Sequence, residues 1–205
     1  MKPLRGLATA VRVGERVFLR LPIPSDSDEV CTLRKRSAKR LRLWEPRPPR
    51  GADRSDAAWF ARLLSFRRST LSRKLLMCLR ADGAIAGGAS LNEIVRGAMN
   101  GCFAGWWIGD PYEGHGYMRE GLGLLLDHAF LDLRLHRVEA NIRPENTRSK
   151  RLAEFLGLRR EGYSPRYLQI AGDWCDHERW AILAEEWKAR RRTTQGRIAA
   201  SSSRS

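Results

Sequence analysis

The chain has 205 residues, of which 42% are hydrophobic, and it carries a formal net charge of +15. This length suits one domain with a sizeable core and excludes most multidomain enzymes. Apolar runs are too short for a membrane span or an export signal, so we expect a cytoplasmic protein with no membrane partner. Four widely separated cysteines exclude the usual zinc-site spacings and indicate reduced thiols, so no metal is expected.

The positive charge is concentrated toward the two ends of the chain. Residues 1–50 contain 13 Lys/Arg and 5 Asp/Glu, whereas residues 101–150 contain 6 and 7. A chain this basic is attracted to nucleic acid through counterion release, so association with RNA or the ribosome is one expectation. A solvated, arginine-rich surface is the other, because no nucleic-acid-binding motif accompanies the charge.

Hydrophobic patterns in chain order predict a mixed α/β protein. The predicted strands are 17–21, 75–79, 85–95, 102–108, 137–142, 158–161, 167–171 and 180–183. The predicted helices begin after Asp26, after a capping Ser55, at Met118 and at Thr147. This order predicts a mixed, mostly antiparallel sheet flanked by helices. We assign 1–12 to an N-terminal extension, 13–188 to one domain, and 189–205 to a disordered basic and Ser-rich tail.

A glycine-containing loop joins the predicted strand 102–108 to the helix that follows. It consists of Glu113, Gly114, His115, Gly116, Tyr117 and Met118. Backbone N–H groups at such a helix N-terminus can bind a phosphate, and glycine lets the anion approach closely. The loop lacks the third glycine of a dinucleotide fingerprint and the Gly-Lys-Ser/Thr of a Walker loop. On this loop alone, an ordinary tight connection stays open as the alternative.

Eight short segments then point to a family. In order, they are Leu41-Arg-Leu-Trp-Glu-Pro46, Ile94-Val-Arg-Gly97, Gly105-Trp-Trp-Ile108, Gly114-His-Gly-Tyr-Met118, His136-Arg-Val-Glu-Ala140, Pro144-Glu-Asn146 with Ser149, Phe155-Leu-Gly157 with Glu161-Gly162, and Gly172-Asp-Trp-Cys-Asp-His177. Together they span about residues 13 to 187, and the chain resembles the GNAT acetyltransferases. Within that family it resembles the RimJ/RimL type, which acetylates the N-terminal amines of ribosomal proteins.

The resemblance implies a GNAT fold and acetyl transfer from acetyl-CoA to an amine by direct attack in a ternary complex. By analogy, the backbone of residues 114–118 binds the pyrophosphate. The strand carrying Trp106, Trp107 and Ile108 holds the pantetheine, and one of its N–H groups stabilises the oxyanion. Asn146 is then expected to hold the cofactor chain, and Ser149 to donate a proton to the departing thiolate. An ordinary helix start is the alternative for both.

Two loop positions depart from the family pattern. Glu113 stands where the family has Gln or Arg, and Met118 stands where it has Gly or Ala. A carboxylate beside a pyrophosphate would repel it. Only a side chain turned to solvent would avoid this repulsion. We therefore assign phosphate binding to the backbone of residues 114–118 and expect no role for the Glu113 side chain.

The candidate residues of the acceptor site are inferred from the requirement that the attacking amine be neutral. An α-amine has a pKa near 8 and a lysine near 10.4, so an N-terminal acceptor needs only a weak base. Glu93 is the candidate base, with an exposed strand carboxylate as the alternative. Asp176 and His177 are expected to stabilise a turn. The aromatic candidates for the wall of the acceptor site are Trp44, Trp107 and Trp174.

Three functions remain open at this point. The first is an acetyltransferase acting on a protein N-terminus, with a ribosomal protein as the acceptor by analogy. The second is a GNAT enzyme acting on a small amine such as an antibiotic or a polyamine. The third, of another class, is an RNA- or ribosome-associated binding protein with a vestigial CoA site. The sequence names neither the acceptor nor the oligomeric state.

Overall fold

A single eight-stranded sheet organises the part of the chain that the structure, a computed structural model, describes: residues 4–46 and 51–202, with side chains described through 193. The strands are β1 (Ala10–Val13), β2 (Val17–Arg20), β3 (Arg73–Leu79), β4 (Ile85–Val95), β5 (Gly101–Ile108), β6 (Arg137–Ile142), β7 (Arg159–Ile170) and β8 (Asp173–Leu183). The helices are α1 (Ser27–Arg36), α2 (Ala38–Leu41), α3 (Asp56–Ser65), α4 (Tyr117–Asp127), α5 (Thr147–Leu156) and α6 (Ala184–Ser202). The predicted mixed, mostly antiparallel sheet flanked by helices is confirmed.

The strand order is β1-β2-β3-β4-β5-β6-β8-β7, and every neighbouring pair is antiparallel except β5 and β6. The parallel pair is joined only from Gly101–Arg137 to Phe103–Glu139. Beyond that point β5 continues along β4 as far as Ile108, and β6 continues along β8 as far as Ile142. The two strands therefore separate and leave a gap in the middle of the sheet.

Helices cover both faces of the sheet. On one face, α4 packs apolar residues such as Leu122 and Leu125 into the main core cluster. Gly121 lets this helix approach β3, because a Cβ there would clash with the sulfur of Met77. On the other face, α1 and α3 enclose a second cluster that includes Val30 and Phe60. The separated end of β5 thus lies between the two clusters, with Trp106 packed against the first and Trp107 against the second.

Several predicted elements match the structure. The strands 85–95 and 137–142 have the predicted bounds. Ser55 caps α3 by accepting a hydrogen bond from the Ala58 N–H at 3.1 Å, as predicted. All four cysteines are free thiols, as predicted. Burial raises the pKa of Cys78 to about 11 and that of Cys102 to about 12, which keeps both thiols protonated and unreactive.

Other elements differ from the prediction. Strand β1 begins at Ala10, so the sheet includes residues that the sequence assigned to an extension. The two strands predicted at 158–161 and 167–171 form the single strand β7. Helix α6 runs to Ser202, through most of the segment expected to be disordered. Composition shows that this segment cannot build a core, but its Ala, Arg and Gln residues favour helix. No helix within the described ranges is long and apolar enough to cross a membrane.

A buried ion pair anchors the start of α1 to the sheet. Arg20 at the end of β2 is 1% exposed and Asp26 is 0% exposed. The guanidinium donates two hydrogen bonds to the Asp26 carboxylate, at 2.6 and 2.8 Å. Asp26 also accepts a hydrogen bond from the Ile23 N–H at 2.8 Å, so the same carboxylate fixes the turn that precedes the helix.

Replacing Asp26 by Ala should lower the free energy of unfolding by about 3–5 kcal/mol, because it leaves the Arg20 charge buried without its partner. Urea denaturation measures this loss. Asp28→Ala, at an exposed position of α1, is the control and should change stability by less than about 0.5 kcal/mol. Equal effects of the two substitutions would contradict the anchoring role.

Candidate active site

A cavity of about 660 Å³ opens where β5 and β6 separate. Four parts of the chain line it: the end of α2 with the following turn (residues 40–45), the end of β5 (106–108), the loop and first turn of α4 (within 113–119), and the start of α5 (within 145–152). These parts are far apart in sequence, so the separation of the strands is what brings them together.

The glycine loop reaches the cavity at the N-terminus of α4. Gly114 and Gly116 have φ values of +83° and +77°, which glycine adopts without strain. Gly116 is the N-cap and supplies no side chain to the free N–H groups of the first turn. The space beside the Gly114 Cα is open. The loop therefore presents unpaired backbone donors and the positive end of a helix dipole to the cavity.

An arginine on the β1–β2 turn holds the loop in place. Arg16 donates a hydrogen bond to the His115 carbonyl at 3.0 Å and forms an ion pair with Glu120 at 3.1 Å. Its guanidinium lies 5.3 Å from the Tyr117 ring centre, and the His115 and Tyr117 rings stack 5.6 Å apart. His115 and Tyr117 thus support the loop, whereas Gly114, Gly116 and Met118 line the cavity.

The Glu113 side chain, for which the sequence predicts no role in phosphate binding, is held by two arginines. Its carboxylate forms an ion pair with Arg148, and the Arg40 guanidinium lies 3.7 Å away. Arg40 also donates hydrogen bonds at 2.6 Å to the Ile108 carbonyl and to Asp110. Because two cations neutralise Glu113, its charge does not prevent an anion from binding at the neighbouring backbone. The sequence could not reveal this pairing, because Arg148 is 35 residues away.

The end of β5 presents its backbone to the cavity. On the β4 side, Trp106, Trp107 and Ile108 pair with residues 87–89. On the β6 side, pairing stops at Phe103. The side chains point to opposite faces: Trp106 packs against the core under α4, whereas Trp107 meets Trp59 edge to face at 6.4 Å. The peptide groups that face the gap are therefore available to an extended ligand, except for the Ile108 carbonyl, which accepts from Arg40.

At the start of α5, two site candidates are linked by one hydrogen bond. The Asn146 side-chain oxygen accepts from the Ser149 N–H at 3.1 Å and caps the helix. Both residues line the cavity, and Ser149 is partly buried there. Asn146 thus has a structural role as the cap of α5, whereas the Ser149 hydroxyl has no hydrogen-bond partner among the described residues.

The acceptor candidates are only partly brought together. Trp44 lines the cavity, and Arg143 lies over its ring at 5.6 Å while donating to the Leu43 carbonyl at 3.1 Å. Glu93 lies outside the lining, exposed at a β-bulge with φ +50°. Trp174 is 62% exposed and lies on the β7–β8 hairpin, also outside the lining.

Asp176 and His177 lie within β8 rather than in a turn before it. Asp176 accepts a hydrogen bond from the Arg166 N–H at 2.7 Å and another from the Tyr163 hydroxyl, so it braces the paired strand. His177 is 3% exposed and contacts the Cys175 carbonyl through Nδ1 at 3.0 Å. Burial lowers the pKa of His177, which favours the neutral ring. Both residues therefore stabilise the hairpin, although not in the predicted turn.

Comparison with known proteins identifies the same family. The family model described as an acetyltransferase (GNAT) domain matches residues 16–159. The [ribosomal protein uS5]-alanine N-acetyltransferase of Escherichia coli is 37% identical over 103 residues, which cover 50% of this chain and 53% of that protein. The probable N-acetyltransferase YjcK of Bacillus subtilis is 39% identical over 103 residues, covering 50% of this chain and 57% of that protein. The matched region thus spans about half the length of these relatives.

Solved structures match more of the chain. The Mycobacterium smegmatis RimJ structure in complex with CoA-disulfide has a TM-score of 0.76 and 32% identity, with 83% of each chain covered. The ribosomal-protein-S5-alanine acetyltransferase of Vibrio fischeri has a TM-score of 0.75 and 27% identity, covering 86% of this chain and 97% of that one.

Two substitutions at the start of α5 should separate helix capping from a site role. Asn146→Ala removes the cap and should lower the free energy of unfolding by about 1 kcal/mol. Ser149→Ala keeps the backbone N–H that the cap uses and should change it by less than about 0.5 kcal/mol. Urea denaturation of both variants is the measurement. A loss for Ser149→Ala as large as that for Asn146→Ala would show that the hydroxyl is structural.

Proposed function

The chain belongs to the GNAT acetyltransferase family and within it is similar to RimJ, and from this premise we propose that it acetylates protein N-termini with acetyl-CoA. The acceptor amine attacks the thioester carbonyl directly in a ternary complex. The new amide bond forms as the carbon–sulfur bond breaks, the amine loses a proton, and the CoA thiolate gains one. A ribosomal protein is the proposed acceptor, by analogy with the E. coli relative that is named for uS5.

The gap between β5 and β6, with the α4 N-terminus at its edge, is the observation that carries this proposal. The residues there suit acetyl-CoA: the backbone of 114–118 offers donors to the pyrophosphate, and the unpaired edge of β5 offers hydrogen bonds to the pantetheine amides. An N–H group in residues 106–108 would then stabilise the developing oxyanion. The Asn146 cap holds the start of α5 beside this path.

We propose that the protein assists proton transfer only weakly. At pH 7.4 roughly a fifth of an α-amine is already neutral, compared with about a thousandth of a lysine amine. We propose the Ser149 hydroxyl as the donor to the departing thiolate, because it lines the cavity without another partner. Glu93 remains the proposed base only through a chain of waters, because its carboxylate lies outside the cavity lining.

The proposal is tested by measuring CoA thiol release with three acceptors. These are a peptide that begins with Ala or Ser, its α-blocked twin that carries a free lysine, and a polyamine. Turnover of the free α-amine alone is the expected result. Turnover of only the lysine peptide or the polyamine would overturn it and favour a small-amine enzyme. Acetyl-CoA binding without turnover of any acceptor would also contradict it. The absence of both turnover and acetyl-CoA binding would favour the RNA-associated binding protein.

A matched pair of glycine substitutions tests the phosphate loop. Gly114 and Gly97 both have positive φ and open space around the position of a Cβ. Alanine at either position should lower the free energy of unfolding by roughly 1–2 kcal/mol, because L-residues are strained there. Only Gly114→Ala should weaken acetyl-CoA binding, by tenfold or more in calorimetry. Equal affinities of the two variants would place the pyrophosphate elsewhere.

A further inference from the structure

A second concave surface adjoins the proposed acetyl site. It encloses about 920 Å³ between residues 34–46 and residues 52–62. It shares Leu41 and Glu45 with the cavity at the strand gap, so the two lie side by side. We call it the basic groove. Its cationic side chains are Arg34, Lys35, Arg42, Arg54 and Arg62.

Part of this charge is already neutralised within the protein. Arg34 donates hydrogen bonds to Glu45 at 3.1 and 2.7 Å and lies 3.8 Å from the Trp59 ring centre. Lys35 lies 3.9 Å from Asp56. Glu45 and Asp56 are the acidic residues of the lining, and both are therefore engaged with these two cations.

Two of the remaining cations lack an acidic partner. The side chains of Arg42 and Arg54 are exposed and have neither an ion pair nor a hydrogen bond among the described residues. Arg62 is exposed and donates to the backbone carbonyl of Asp53 at 3.1 Å. Hydrogen bonds from Ser55 lower the pKa of the Asp53 carboxyl, and the nearby charge of Arg62 lowers it further, so Arg62 is partly neutralised. Guanidinium groups gathered around one concave surface, two of them without an acidic partner, attract an anionic ligand.

The position of the basic groove beside the cavity indicates which anionic ligand it would bind. An acceptor whose α-amine lies at the strand gap must leave the cavity along a surface that borders it. An extended chain advances about 3.3 Å per residue, so positions a few residues after the terminus reach the groove. A nucleic acid is less favoured, because the Trp59 ring is already engaged by Arg34 and by Trp107 within the protein, whereas base stacking needs a free aromatic ring.

We propose that the basic groove selects acceptor polypeptides in which an acidic stretch follows the N-terminal residues. This selection rests on the proposed N-terminal acetylation and adds a specificity for the acceptor. Arg42, Arg54 and Arg62 bind the carboxylates of that stretch, while the first residues enter the cavity beside Trp44.

Three peptides with the same two first residues and a free α-amine test the selection. Their following four residues are Glu, Gln or Lys. At low salt, kcat/KM should be at least tenfold higher for the Glu peptide than for the Lys peptide, and 0.5 M salt should reduce the ratio severalfold by screening. Arg42→Glu with Arg54→Glu should abolish or reverse the preference. Arg67→Glu with Arg68→Glu makes the same charge change at exposed positions outside the cavity and the basic groove, and should preserve the preference.

The Gln peptide separates failure of this inference from failure of the proposed function. If it is acetylated while the Glu and Lys peptides have equal kcat/KM, acetylation stands and the selection is overturned. If no peptide is acetylated, anisotropy of the labelled Glu peptide still decides. Binding that the Arg42/Arg54 variant loses, and the Arg67/Arg68 variant keeps, supports the groove. Binding of a single-stranded RNA oligonucleotide but not of the Glu peptide overturns it.

Discussion

β5 and β6 run parallel for only three residue pairs, from Gly101–Arg137 to Phe103–Glu139, before they separate. Each strand then follows its antiparallel neighbour, β4 or β8, and those ladders continue to the strand ends. A gap in the sheet leaves backbone donors and acceptors unpaired, which is costly unless water or a ligand takes the place of the missing strand. The cavity, the position of the α4 N-terminus and the access to α5 all depend on this separation.

Several charged side chains around the gap are paired with one another. Glu113, which would oppose a phosphate, is neutralised by Arg148 and Arg40. Arg16 is held by Glu120 while it supports the loop. These internal pairs explain why a net charge of +15 does not mean an evenly basic surface. Beside the cavity, the basic groove adds Arg42 and Arg54, which have no acidic partner among the described residues and can contribute to recognition.

Local sequence patterns predicted the parts of the structure that local interactions determine. The hairpin strands, the Ser55 cap and the loop before α4 depend on residues that are close in sequence, and the structure has them where they were expected. The prediction failed where distant contacts decide. Strand β1 is held by pairing with β2, and the repulsion expected from Glu113 is removed by an arginine from α5. For α6, low hydrophobicity was a poor guide, because helix propensity does not require a core.

The same contrast between local and distant contacts separates the proposed cofactor half of the site from the proposed acceptor half. The proposed cofactor half rests on a contiguous loop and one strand, so sequence motifs could predict candidates for it, several of which line the cavity. The acceptor half is assembled from segments far apart in the chain: Arg143 reaches across 100 residues to the Leu43 carbonyl and covers Trp44. Glu93, chosen because its strand lies next to β5, ends at a bulge outside the cavity. Strand adjacency alone does not specify which residues face a ligand, because a single bulge reorients the side chains that follow it. Acceptor specificity can therefore differ between chains that share the same cofactor loop.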